Sequence, residues 1–407
     1  MVLLAGLVAA GCGGETPTPR QSGLGSPGLQ PLDSRSGPAG STATADRLPR
    51  VQELSLCYPV AQVPAEQQQP LYRDASLLAV TNGAPGVVAG LRKLYSPTPV
   101  LLVCDLRPSR ELAVLSETEA EPSWYPPSGP APSAADGVTA SRALDLSSSA
   151  AREALVSASA RQLSDTRADG LILRGLAASV PVAEDVALGA APTAGGAREF
   201  LAALRQAQQG AVIVLEMDLA DFGRVQGLLS DVDGVALRVP VGWTVKAGPK
   251  WLTGLWKGLR DAAGELARAK KHLFLVPEWL AAKPGESAAS RAEATRQLAA
   301  LCLLLWSERT HLLAEPEALE EAGFRPAPAL GAAKGEAKEK DGLLGREFEG
   351  VRVFLNLGGK ETAAPEVPGF VPVGGGQAPA QVAGFGALVL ARPSAQEGEA
   401  APSAARG

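Results

Sequence analysis

Eight short apolar runs, separated by longer stretches with helical periodicity, constrain this chain more than any other feature. The runs are Leu54–Val60, Ser76–Val80, Val100–Leu106, Gly170–Leu173, Ala211–Met217, Gly234–Val239, His272–Pro277 and Thr310–Ala314. Most are continuously apolar, as strands buried on both faces must be. Helices are predicted between them over Ser147–Leu163, Ala197–Gln208, Asp221–Leu229, Pro249–Lys270 and Ser287–Trp306. Serines cap the first, and Pro249 suits the opening turn of its helix. Strand and helix in alternation give a parallel sheet, and eight units predict closure into a (β/α)8 TIM-type barrel, an α/β fold. The competing open sheet that binds dinucleotides needs a glycine-rich turn after its first strand. Here that turn is Ala61-Gln62-Val63-Pro64, so no nucleotide cofactor is expected.

The flanks follow other rules. Residues 1–12 read as a lipoprotein signal peptide, because the apolar run Val2 to Ala10 is too short to span a bilayer and ends in Ala9-Ala10-Gly11-Cys12. Small residues before a cysteine resemble the lipobox of bacterial lipoproteins, in which that cysteine, here Cys12, is acylated. Two positions depart from that pattern. Ala9 stands where leucine is usual, and no Lys or Arg precedes the run. The resemblance implies export and a lipid anchor as the sole membrane contact. Gly13 after the cysteine, rather than Asp, favours the outer membrane over the inner. Residues 13–50 are a Gly/Pro/Ser/Thr tether reaching about 30–35 Å. The barrel is placed at 51–318, a polar connector at 319–342, a small antiparallel β element at 343–392 and a loose tail at 393–407. Val351, Val353 and Leu355 alternate as a half-buried strand does.

Composition removes several functions. A net charge of −5 lacks the basic footprint of a nucleic-acid binder, so no nucleic-acid partner is expected. Two histidines and four cysteines make a multi-ligand metal site improbable. Cys57, Cys104 and Cys302 are expected as buried thiols, His272 as a solvated residue behind Lys270-Lys271, and His311 as a core or rim histidine.

Six segments, in order, resemble the glycosyl-hydrolase-like TIM-barrel proteins of bacteria, best the group numbered fifteen. They begin with Leu71-Tyr72-Arg73-Asp74-Ala75-Ser76 running into a strand, and Leu91-Arg92-Lys93-Leu94-Tyr95 running through Pro97 and Pro99 into the next. Leu144-Asp145-Leu146-Ser147 turns into a helix. Asp169-Gly170 and Asp233-Gly234 open two strands, and Arg346-x-Phe348-x-Gly350-x-x-x-x-x-Asn356 closes the pattern. The resemblance covers about residues 51–391. It implies a barrel whose strand ends carry two carboxylates for glycoside hydrolysis, one to protonate the leaving oxygen and one as nucleophile or base. The departure is specific: the two Asp-Gly strands end in Arg174 and Arg238, and a guanidinium can play neither role.

Carboxylates stand at other strand ends: Asp105, Glu216, Asp218, Glu278 and Glu315. One reading pairs them with Arg174 and Arg238. Another makes Glu216, Asp218 and Glu278 a rebuilt catalytic set. Ligand contacts are expected from Trp124 and Tyr125 in a proline-rich loop after the third strand, from Arg174 and Arg238, and from Trp243 and Trp279 after strands six and seven. The expected partner is a polysaccharide or another cell-envelope component, bound without hydrolysis. An active hydrolase, and a partner-binding lipoprotein with no carbohydrate ligand, are the alternatives.

Overall fold

The computed structural model describes residues 48, 50, 53–81, 83–108, 113–116, 119–125, 143–179, 194–241, 249–279, 288–325 and 327–393. Cys12 and Trp243 lie outside these, as do the side chains of Glu278 and Trp279.

Eight parallel strands close into a barrel in chain order. They are β1 (Ser55–Val60), β2 (Leu77–Val80), β3 (Val100–Asp105), β4 (Gly170–Arg174), β5 (Val212–Asp218), β6 (Gly234–Val241), β7 (His272–Trp279) and β8 (Thr310–Leu313). Around them lie α1 (Pro85–Tyr95), α2 (Ser149–Thr166), α3 (Ala194–Ala207), α4 (Phe222–Val225), α5 (Pro249–Arg268), α6 (Ala288–Leu304) and α7 (Pro316–Glu321). The Ser148 hydroxyl accepts from the Ala151 N–H and caps α2. Helix α5 buries Leu252, Leu255, Trp256, Leu259, Ala262 and Leu266, a stripe at helical spacing. The helix expected over Asp221–Leu229 is instead the single turn α4 between two 3-10 turns. Gly223 and Gly227 weaken any longer helix there. Among the described residues, no helix is long and apolar enough to cross a membrane.

Strand side chains alternate between two cores. One set fills the barrel: Cys57, Leu77, Ala79, Leu101, Val103, Ile172, Val212, Val214, Ala236, Phe274, Val276 and Leu313. The other set packs under the helices. Leu48, within the stretch expected to be tether, is buried in the barrel interior.

The two Asp-Gly motifs explain themselves at the opening ends of the strands. Asp169 Oδ2 accepts the Val100 N–H at 2.8 Å, and Asp233 Oδ2 accepts the Ile213 N–H at 2.8 Å. Arg92 and Arg205 hold these carboxylates from α1 and α3. Each aspartate thus satisfies an amide at the start of a neighbouring strand, the first of β3 and the second of β5. These contacts belong to the stability face of a barrel.

The C-terminal element is a five-stranded antiparallel sheet and a separate two-stranded one. The larger comprises β9 (Lys338–Lys340), β10 (Leu343–Glu347), β11 (Val351–Asn356), β13 (Val371–Pro372) and β15 (Ala387–Ala391); β12 (Thr362–Ala363) pairs with β14 (Gln381–Val382). Its edge strand begins at Lys338, inside the stretch expected as a connector. The Arg346-to-Asn356 motif fastens this element. Arg346 Nη1 donates to the carbonyls of Leu304 at 3.0 Å and Trp306 at 2.8 Å, capping α6. Phe348 is fully buried edge-on to Trp306. Asn356 Nδ2 donates to the carbonyls of Lys360 and Val382, and its oxygen accepts the Gly358 N–H.

Candidate functional site

One line of hydrogen-bond register links Ser55, His311, Phe274, Ala236, Glu216, Arg174 and Asp105 across seven strands. Strand stagger makes this line climb from the opening end of the barrel to the closing end. Polar groups therefore gather at both ends of one apolar interior.

At the opening end His272 is buried, which corrects the expectation that it is solvated. It stands two residues before Phe274 on the same inward-facing parity, so the preceding lysines do not bring it to the surface. Ser55 Oγ bonds His311 Nδ1 at 2.6 Å, and His311 Nε2 bonds His272 Nδ1 at 2.8 Å. Phe274 stacks on His311 at 4.5 Å. Burial, and then the neighbouring His272, push His311 down to about 3. The folded chain therefore keeps His311 neutral where the unfolded chain protonates it, near 6.5. Stability from this group is present above that value and lost as pH falls from 6.5 toward 3. Urea unfolding should show about 2 kcal/mol less stability at pH 5 than at pH 7; equal midpoints would contradict a neutral buried His311.

The closing end holds the candidate site. Asp105, Arg174 and Asp218 are the last residues of β3, β4 and β5, and Glu216 lies on β5 beside Arg174. Arg174 Nε donates to Glu216 Oε2 at 2.8 Å, and Arg238 Nη2 donates to Asp218 Oδ2 at 2.9 Å. One reading of the sequence pairs the strand-end acids with Arg174 and Arg238, and both arginines are so paired, with Glu216 and Asp218. A third pair was not anticipated: Arg107 donates through Nε to Asp105 Oδ1 at 2.7 Å and through Nη2 to Oδ2 at 2.5 Å. Its signal was Asp105-Leu106-Arg107 immediately past a strand. Gly175, at φ +84°, follows Arg174 and leaves room for this pair; a Cβ there would come within 3.0 Å of Arg107 Nε and Asp105 Oδ1. The Asp105 hydrogen bonds raise the pKa of Arg107, and the charges of Asp218 and Glu216 add to the effect, so the three pairs share one electrostatic site.

Other candidates fall elsewhere. Trp124 is 8% exposed, packed in the core under the helices, which corrects its expected role as a ligand contact. Its carbonyl accepts the Asp145 N–H and ties the loop down. Tyr125 packs half-buried against the same core. Glu315 is exposed at the start of α7, near Tyr72. Glu278 pairs in register with Pro240 and Trp279 with Val241, at the end of β7. Trp256 is buried, whereas Trp251 is exposed. Burial raises the thiols of Cys57 and Cys104 to about 12 and that of Cys302 further, which leaves them poor nucleophiles. Among the described residues no group of His, Cys, Asp and Glu could hold a metal ion.

Chemically, the rim is well supplied with N–H donors. A general acid must offer a proton, but Glu216 Oε2 is held as the acceptor of the Arg174 Nε–H hydrogen bond. The Glu216 side chain is 5% exposed, which restricts access by a substrate.

No protein-family model and no curated protein sequence matches the chain. Among solved structures it is similar to the glycoside hydrolase domain of PelA from Pseudomonas aeruginosa, with 16% identity and a TM-score of 0.43 over 65% of this chain and 95% of that one. It is also similar to Amy13B from Eubacterium rectale, at 11% identity and TM-score 0.48 over 85% and 97% of the two chains. An alpha-amylase from Malbranchea cinnamomea gives 14% and 0.45 over 83% and 96%. At these values the similarity assigns no residue a role, and the barrel rests on its own strand pairing.

Proposed function

We propose that this chain is a glycoside-hydrolase-like barrel, related to the group numbered fifteen, that binds a glycan or another cell-envelope component without cleaving it. The observation that carries the reading is the Arg174 guanidinium 2.8 Å from a nearly buried Glu216. Hydrolysis needs two carboxyl groups open to one glycosidic bond. Asp105, Glu216 and Asp218 each face an arginine instead. In this reading Arg174, Arg238, Trp243 and Trp279 contribute the ligand contacts, and Cys12 carries the lipid that holds the exported protein at the envelope, on the outer membrane.

Reducing-end release and binding should be measured together on one polysaccharide panel. The expected result is saturable binding to at least one glycan with no release above background. Turnover that disappears in Glu216→Gln or Glu278→Gln would overturn the reading in favour of an active hydrolase. Binding to none of the glycans would leave the barrel as a partner-binding lipoprotein.

A further inference from the structure

The rim pairs are asymmetric in what they show to solvent. The Asp105 and Glu216 side chains are each 5% exposed, while their partners Arg107 and Arg174 are 21% and 32% exposed. In these two pairs the carboxylate lies behind and the guanidinium in front. Each arginine also keeps donors in reserve. Arg174 is engaged through Nε alone, and both of its terminal nitrogens are without a partner among the described residues. Arg238 is engaged through one terminal nitrogen, and Arg107 keeps Nη1. Arg238 Nε and Asp218 Oδ1 are buried with no hydrogen bond among the described residues, so the third pair is not yet fully satisfied. Around Arg107 and Arg174 the surface therefore offers N–H donors and few acceptors, whereas in the third pair Asp218 is 42% exposed and Arg238 36%. Neutral sugar hydroxyls are matched best by mixed donors and acceptors, whereas a guanidinium fork matches the two oxygens of an anion.

We propose that the rim recognises an oxyanion-bearing saccharide through the free donors of Arg174, with Arg107 and Arg238 alongside. The inference rests on the glycan-binding reading above and adds its charge class. The buried acids serve as positioning residues: Glu216 orients Arg174, and Asp105 orients Arg107. Together with Asp218 they also bring the formal charge of the three pairs to zero. Recognition therefore depends on the geometry of the donors rather than on a strong positive field, in keeping with a chain whose net charge is −5.

The test is calorimetric titration of the intact protein with three probes: hexagalacturonate, a sulfated hexasaccharide and neutral maltohexaose. The expected result is affinity for one of the charged probes at least about tenfold above that for maltohexaose. Preference for hexagalacturonate identifies a carboxylate ligand, and preference for the sulfated probe a tetrahedral one. Arg174→Gln alone leaves Glu216 without its partner and risks unfolding. The double variant Arg174→Gln with Glu216→Gln removes both charges and is the one to use, its fold checked by circular dichroism. It should lose the charged-probe preference, and Arg174→Lys should retain only part of it, because lysine lacks the fork. Equal affinity for maltohexaose overturns the charge class and leaves glycan binding standing. A preference unchanged in the double variant overturns the site. Failure to bind any of the three overturns this inference, whereas glycan release would overturn the non-hydrolytic reading beneath it.

Discussion

Replacing Arg174 by leucine should lower unfolding stability by about 2–3 kcal/mol, read as a drop in the urea midpoint at pH 7. The leucine leaves the Glu216 carboxyl in a site where its side chain is 5% exposed and its guanidinium partner is gone. Breaking a fully buried pair costs about 3–5 kcal/mol. Arg174 is 32% exposed, so water already screens part of this interaction and the smaller figure applies. The pair itself contributes far less than its breaking costs. Leucine at both positions should therefore recover most of the loss, since two apolar groups can replace a buried pair at little net expense. A single variant as stable as the parent would show that Glu216 is solvated and that the pair does not organise the rim.

Alanine at Gly170 should cost about 3 kcal/mol or more, or prevent folding. A Cβ there would lie 2.1 Å from the Val212 carbonyl oxygen and 2.7 Å from the Val212 carbonyl carbon, far inside contact distance. These are backbone atoms of the paired strand β5, so relief requires moving the barrel wall rather than turning a side chain. Gly210, a few residues before β5, has nothing within 4 Å of the same added atom. Gly210→Ala should be close to neutral, because no contact opposes it. Thermal melts of the two variants side by side give the comparison. Similar melting temperatures would mean that β4 and β5 are not held as closely as the register requires.

Both variants test motifs that the sequence displays openly but does not explain. Asp169-Gly170 stands out as a strand opening, and its resemblance to a hydrolase family draws attention to the far end of that strand. The structure gives the motif its own use: the aspartate receives the Val100 amide, and the glycine lets Val212 approach. Arg346 and Asn356 likewise mark a closing strand in the sequence, but their hydrogen bonds to the end of α6 and to the loop around Gly358 come from residues far apart or hidden in a turn. His272 illustrates the opposite error. Two lysines before it suggest solvent, while strand parity, which outweighs neighbours in sequence, turns it inward beside His311. Trp124 was misjudged for a related reason. A proline-rich loop suggests exposure, and nothing local shows that its indole is packed into the core.

The sequence by itself determined the barrel. Apolar runs of strand length, helical stretches between them and the arginine that closes β4 are all local signals, legible because strand and helix periods are properties of short segments. Arg238, expected to end its strand, stands inside β6, which runs on to Val241 because Val239 and Val241 keep pairing with β7. Which charges meet at the rim was decided only by tertiary structure. Arg174 reaches Glu216 across 42 residues of chain because strand register sets them side by side. The carboxylate sits behind the guanidinium because Glu216 is buried at its strand end while Arg174 remains partly open to water. Register, stagger and burial are properties of the closed sheet, and no single segment carries them.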